Sequence, residues 1–110
     1  MDKLIKIPAH PNHPEMMEFY SKKLDSKFSP YIFVKKAEIQ VERNPFGEYE
    51  IALRLQLEKA HWLYCKDSNR SENKALHGVL KKMRPQIEKY KQKHYHDFHT
   101  VSKSERNPMD

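Results

Sequence analysis

The feature that most constrains the fold is the run of residues 49–58, in which apolar and mostly polar side chains alternate without a break. A period of two places successive side chains on opposite faces of a β-strand, so this run predicts a strand with one buried face. The side chains expected on the buried face are Tyr49, Ile51, Leu53, Leu55 and Leu57. A similar alternation at residues 37–42 predicts a second strand, and residues 44–47 (Asn-Pro-Phe-Gly) predict a hairpin connection between the two.

Two more strands and a helix surround this hairpin. Residues 3–8 predict a short strand that ends at Pro8, and residues 61–65 predict another strand after a short turn. Pro14 suits the first position of a helix that ends before Ser29-Pro30, with acids in its first turns and lysines near its end. The apolar stripe of this helix consists of Met16, Phe19, Tyr20, Leu24 and Phe28.

The last helix carries the most basic stretch of the sequence. Helical spacing of apolar residues predicts that it extends from Glu72 to His99, with Asn69 or Ser71 as its cap. Its buried stripe consists of Ala75, Leu76, Val79, Leu80, Met83, Ile87 and Tyr90. Its polar surface carries Lys81, Lys82, Arg84, Lys89, Lys91 and Lys93 against the single acid Glu88. Such a local excess of positive charge repels itself unless a polyanion compensates it, so phosphate binding is favoured over a merely solvated face.

The element order β-α-β-β-β-α defines the fold class. Because one sheet face is apolar and both helices are amphipathic, the sequence predicts an α+β fold with two helices covering one face of a four-stranded sheet. The residues expected on the open face are Lys36, Glu38, Gln40, Glu42, Glu50, Arg54, Gln56 and Glu58. Four acids against two bases make this face unattractive to phosphates, so positive charge is expected to collect on the helical side instead. Trp62 and Cys65 are expected in the core.

Composition limits the classes of protein that remain. The chain has 110 residues, a net charge of +6 and a pI of about 9.4, which favour one domain and a nucleic-acid partner. We expect residues 1–99 to form this domain and residues 100–110 to form a disordered tail. No apolar run reaches the roughly 18 residues of a membrane span, and residues 1–8 lack the apolar core of a signal peptide. A single cysteine excludes an internal disulfide, so a soluble cytoplasmic protein is expected.

The last helix also carries a family resemblance. Residues 74–93 read Lys-Ala-Leu-His-Gly-Val-Leu-Lys-Lys-Met-Arg-Pro-Gln-Ile-Glu-Lys-Tyr-Lys-Gln-Lys. Together with the element order over about residues 3–94, this helix resembles the ribosome hibernation-promoting factor and protein Y family, also called the sigma-54 modulation or ribosome-associated inhibitor family, in its short form. The polar positions of the family pattern are matched by Lys82, Gln86, Lys89, Lys91 and Lys93. Two positions depart from it. Pro85 replaces a basic residue and is expected to kink the helix, and His77 replaces a residue that is often acidic.

The resemblance implies a fold akin to the double-stranded RNA-binding domain and a function on the ribosome. It implies that basic helices bind the small ribosomal subunit and its rRNA in the channel for mRNA and tRNA, blocking translation in idle ribosomes. The candidate RNA-binding residues are Lys22, Lys23, Lys27, Lys81, Lys82, Arg84, Lys89, Lys91 and Lys93. No cofactor, metal, small-molecule substrate or membrane partner is expected, and the protein is expected to be a monomer away from the ribosome.

Two alternatives remain open: a general module for structured RNA, and a small basic nuclease. A double-stranded RNA binder would use an inter-strand loop as well as a helix, and the loop at residues 44–47 has no lysine cluster. A nuclease needs acid–base groups that converge on a phosphate, whereas the strand glutamates should face away from the basic helices, so no enzyme is expected. A metal site at His94, His96, Asp97 and His99 is also not expected, because His94 and His96 would point to different sides of a helix.

Overall fold

The computed structural model describes residues 1–8 and 10–103 of the chain, with side chains up to His94. The elements follow the predicted order. The strands are β1 (Asp2–Lys6), β2 (Val34–Arg43), β3 (Tyr49–Leu57) and β4 (Trp62–Asn69), and the helices are α1 (His13–Phe28) and α2 (Glu72–Lys103). No helix within the described ranges combines the length and the apolar composition that crossing a membrane requires.

The four strands form one mixed sheet in the order β1-β2-β3-β4. β1 is parallel to β2, because α1 crosses from one to the other, and the remaining neighbours are antiparallel. Leu53 lies opposite Ile39 on one side and Cys65 on the other, so apolar side chains of three strands share one face. α1 packs over β1 and β2, and α2 packs over β3 and β4. The predicted α+β fold with both helices on one sheet face is confirmed.

The hydrophobic core lies between this face and the two helices. Four residues of the alternating run, Ile51, Leu53, Leu55 and Leu57, are buried as predicted, whereas Tyr49 at its start is only half-buried. The helices contribute Tyr20, Leu24, Phe28, Ala75, Leu76, Val79, Met83, Ile87 and Tyr90 to the same cluster. The remaining members of the predicted stripes are only half-buried; they are Met16, Phe19 and Leu80. The last two of these line a groove described below.

The end of β4 differs from the prediction. β4 continues through the polar residues 66–69, because each stays paired with β3 and Asn69 lies opposite Tyr49. Ser71 Oγ then accepts a 3.4 Å hydrogen bond from the Lys74 N–H, and Asn69 Oδ1 accepts one of 2.9 Å from the Ser71 N–H. Ser71 is therefore the cap of α2, one of the two residues predicted for that role.

Three other predictions concern the ends and the middle of helices and strands. β1 ends at Lys6 and not at Pro8, and α2 continues to Lys103, beyond the predicted end at His99. α2 is continuous through Pro85, whose missing N–H leaves the Lys81 carbonyl without its usual backbone donor, and a kink there stays a prediction. Residues 104–110 of the expected tail lie outside the described residues. The side chains of the histidine cluster beyond His94 also lie outside the described part of the chain.

The outer face of the sheet corrects the prediction for Trp62. Because Leu63 and Cys65 occupy the inner face, Trp62 and Tyr64 point outward, with 42% and 51% of their surface exposed. The Arg54 guanidinium lies 5.4 Å from the centroid of the Trp62 ring. The predicted outer-face residue Glu58 lies beyond the end of β3, and β1 and β4 add charges of both signs, so this face is balanced in charge and not acidic. Its bases are Lys6, Lys36, Arg54 and Lys66, and its acids are Asp2, Glu38, Glu42 and Glu50.

Both hairpin connections contain backbone with positive φ. At the β2–β3 turn Gly47 has φ of 77°, and the Asn44 side chain accepts two backbone N–H bonds of 2.9 and 3.0 Å that hold the turn. At the β3–β4 turn Lys59 and Ala60 have φ of 58° and 57°, although neither is glycine or asparagine. Left-handed backbone costs an ordinary residue about 1–2 kcal/mol, so two successive residues of this kind strain the second turn.

Candidate nucleic-acid interface

An open groove of about 640 Å³ lies between α1 and α2. The two helices rest side by side over different pairs of strands and make few contacts with each other. The groove is lined by Phe19, Lys23, Lys27, Phe28, Tyr31, Asn73, Leu76, His77, Leu80, Lys81, Arg84 and Ile87. Its volume lies in the range of about 300–1,000 Å³ that is typical of ligand-binding clefts.

Four basic side chains line the groove, Lys23 and Lys27 from α1 and Lys81 and Arg84 from α2. A spacing of three or four residues places each pair on one side of its helix, so each helix presents its pair to the groove. Lys27, Lys81 and Arg84 are exposed, whereas Lys23 is half-buried with its ammonium 5.5 Å from the centroid of the Phe19 ring. The groove is therefore basic on both sides.

These charges have no acidic partners within the groove. No aspartate or glutamate is among the described residues that line it. Among the described side chains, six salt bridges between a lysine or arginine and a carboxylate form elsewhere on the protein, and none includes any of the four groove cations. Such an uncompensated cluster raises the local concentration of anions and favours a ligand with several negative charges.

Lys82 belongs to the predicted site but lies outside the groove. Its ammonium donates to the Lys66 carbonyl at 3.0 Å and to the Asp67 carboxylate at 3.4 Å, and the Gln86 amide donates to the Tyr64 carbonyl at 2.9 Å. The side chains of Lys82 and Gln86 thus donate hydrogen bonds to backbone carbonyl groups on the free edge of β4. This protects the sheet edge from pairing with another chain.

The other predicted residues divide by their position on the helices. Lys22 is exposed on α1 and forms an i,i+4 pair with Glu18 at 3.4 Å. Lys89 lies seven residues after Lys82, two helical turns on, and Lys93 a further turn on, so both continue the β4 side of α2. Lys91 lies seven residues after Arg84 and continues the groove side. The structure brings together Lys23, Lys27, Lys81 and Arg84, and which lysines contact RNA stays a prediction.

Several groove residues were not predicted as site residues. Phe19 and Tyr31 are half-buried and aromatic, and sequence periodicity placed Phe19 in the core. Asn73 and His77 lie on the groove side of α2, one turn apart. The sequence held one signal for this set. His77 replaces a residue that is often acidic in the family that the sequence resembles, and this makes the groove side of α2 more basic.

A hydrogen-bonded cluster ties the N-terminal end of α2 to the middle of α1 and to the segment before α1. His10 Nε2 lies 2.9 and 3.1 Å from the two Glu72 oxygens, and the Tyr20 hydroxyl donates to the same carboxylate. His10 Nδ1 accepts from the Asn12 N–H, so Nε2 carries the proton that is donated to Glu72. Burial, reinforced by this carboxylate, raises the pKa of Tyr20, which therefore stays neutral. The cluster fixes the relative position of the two helices that form the groove.

The single cysteine is structural, as predicted. Cys65 is buried, and its thiol donates to the Val79 carbonyl at 3.2 Å. Burial raises the pKa of the Cys65 thiol to about 11, so it is not a nucleophile at neutral pH. Within the described part of the chain, no three histidine, cysteine or carboxylate side chains are grouped as metal ligands would be.

Comparison with known proteins gives one finding on the fold. No family model matches the chain, and no curated protein matches it in sequence. Among solved structures, the chain is similar to a ribosomal subunit interface protein from Coxiella burnetii, with a TM-score of 0.70 and 16% identity. The match covers 83% of this chain and 98% of the other. At this identity the likeness establishes a shared fold, and this is the fold that the sequence resemblance implied.

Proposed function

We propose that this protein binds the small ribosomal subunit through the groove between α1 and α2 and blocks the channel for mRNA and tRNA in idle ribosomes. The observation that carries the proposal is the groove itself, whose described lining holds four basic side chains without an acidic partner and no acid. The shared fold with a protein named for the ribosomal subunit interface supports the ribosome as partner. A ribosomal partner would place the protein in the cytoplasm.

The proposed mechanism is occupancy and not chemistry. Rigid positive charge on two helices is sufficient to bind the phosphates of folded rRNA without reading its sequence. The strand carboxylates Glu38, Glu42 and Glu50 lie on the outer face of the sheet, and the helices with their cations cover the opposite face. Phosphodiester cleavage usually needs an acid–base pair near the bound phosphate, and among the described lining residues His77 has no carboxylate beside it to complete such a pair.

A translation assay with a titrated ribosome concentration tests this function. Inhibition should reach its maximum near one protein per ribosome, should be relieved by excess mRNA or tRNA, and should leave the rRNA intact on a gel. Inhibition at far lower ratios, or new rRNA fragments, would favour the nuclease alternative. Equal binding to any structured RNA, with no effect on translation, would favour the general RNA-binding module.

A further inference from the structure

The groove between α1 and α2 has an apolar interior that phosphate binding alone does not use. Phe19, Tyr31 and Leu80 line it and are only half-buried, so part of each side chain remains accessible. The buried residues Phe28 and Ile87 complete this interior. Accessible apolar surface inside a cleft indicates a ligand with a hydrophobic part.

Basic side chains frame this apolar interior on two sides. Lys23 and Lys27 lie on the α1 side, and Lys81 and Arg84 lie on the α2 side. A complementary ligand has a flat apolar centre with a negative charge on either side. A nucleotide within a single strand of RNA has this distribution, because a phosphate precedes and follows each base.

A base-paired RNA helix does not match the interior of the groove. Its bases are stacked inside, and it presents phosphates and 2′-hydroxyl groups on a convex surface. An unpaired base can leave its stack and bind to an aromatic side chain, which Phe19 and Tyr31 offer. The Lys23 ammonium, 5.5 Å from the Phe19 ring centroid, is on a flexible side chain that can move from the ring to a phosphate.

We propose that the groove receives an unpaired base of the bound RNA, stacked against Phe19 or Tyr31, while the phosphates on either side contact the basic residues of α1 and α2. This inference rests on the proposed function and specifies which part of the RNA enters the groove. It also predicts that single-stranded or looped rRNA, and not a continuous duplex, forms the binding site.

Binding of three labelled RNA oligonucleotides to the full chain tests the inference. They are an eight-nucleotide single strand with one 2-aminopurine, the same strand with abasic central positions, and a duplex of equal length. The affinity of the single strand should be about tenfold or more above that of the abasic strand, since stacking of one base on an aromatic side chain contributes about that factor. Its 2-aminopurine emission should fall on binding, because the base stacks.

Matched variants locate the effect in the groove. Phe19→Leu with Tyr31→Leu keeps apolar side chains but removes the flat rings. This double variant should lose about five- to hundredfold in affinity for the single strand and nothing for the abasic strand. Tyr64→Leu, which removes an exposed ring from the outer face of the sheet, is the control and should bind normally. If the double variant unfolds early in a thermal scan, Tyr31→Leu alone gives the same comparison.

Three results would overturn the inference. They are equal affinities for the intact and abasic strands, tighter binding of the duplex, and tighter binding of an acidic amphipathic peptide with the same net charge. RNA binding that depends on Lys81 and Arg84 would persist in the first two cases, so the proposed function would stand. Failure of the unmodified protein to bind any RNA or ribosome would instead refute both.

Discussion

At the scale of single residues, two adjacent lysines of α2 differ in a way that composition does not reveal. Lys81 lines the groove and has no acidic partner among the described residues, whereas Lys82 is bound to Asp67 and to a β4 carbonyl. Gly78 allows this contact, because a Cβ there would lie 1.7 Å from the Asp67 carboxylate. The close approach of α2 to β4 explains a glycine in the middle of a helix.

Charge reversal at these two positions should therefore affect stability differently. Lys82→Glu removes a donor to β4 and brings a second carboxylate beside Asp67, so we expect the free energy of unfolding to fall by about 1 kcal/mol. Lys81→Glu should change it by less than about 0.5 kcal/mol, as is usual for exposed positions. Urea unfolding of both variants provides the measurement, and equal losses would contradict the assigned environments.

The buried thiol predicts a loss of stability at alkaline pH. In the unfolded chain Cys65 releases its proton near pH 9, whereas in the folded protein it keeps it until about pH 11. Raising the pH through this window therefore favours the unfolded state, and stability should fall from about pH 9 upward. The decline in urea midpoint between pH 8 and 10 should be smaller in Cys65→Ala. An identical decline in both proteins would show that the thiol is not the cause.

At the scale of elements, the strained β3–β4 turn is open to improvement. Left-handed backbone costs about 1–2 kcal/mol at an ordinary residue and little at glycine. Replacing Lys59 with Asn and Ala60 with Gly supplies residue types that tolerate positive φ, so the double variant should unfold at a temperature several degrees higher. Asn44→Ala, which removes two backbone hydrogen bonds from the other turn, should have the opposite effect. An unchanged midpoint in the first variant would show that the turn carries no strain.

The basic side chains that α1 and α2 both present to the groove should set the salt dependence of RNA binding. If the four groove cations contact phosphates, log affinity should fall with log salt concentration at a slope of about −3 to −4. Lys81→Ala with Arg84→Ala should make that slope shallower by about 1.5 to 2, while Lys82→Ala leaves it unchanged. A slope near zero for the unmodified protein would contradict the electrostatic account.

Sequence periodicity predicted the elements better than their ends. Residues 49–58 and the helical stripe of α2 were recognised because their side chains keep a strict period over many residues. The strand predicted at residues 61–65 omits residues 66–69, because their polar side chains carry no pattern and only pairing with β3 keeps them extended. Residue type alone favours a core position for Trp62, but its position in the alternation of β4 puts it outside.

At the scale of the whole molecule, the fold separates two kinds of surface. The helical side contains a groove with bases and no acid, and the outer face of the sheet carries equal numbers of acids and bases. Sequence analysis predicted that positive charge would collect on the helical side. It could not predict the groove, because the groove depends on how α1 and α2 rest on different strands and on the cluster of His10, Tyr20 and Glu72.

Sedimentation of ribosomes with charge-reversal variants tests most directly whether this groove binds the ribosome. The variant Lys81→Glu with Arg84→Glu replaces both positive charges on the α2 side of the groove with negative charges. The variant Lys6→Glu with Lys66→Glu changes the net charge equally on the outer face of the sheet. The account predicts that the unmodified protein and the outer-face variant sediment with the small subunit at low salt, and that the groove variant stays in the supernatant. Equal sedimentation of the two variants would contradict it.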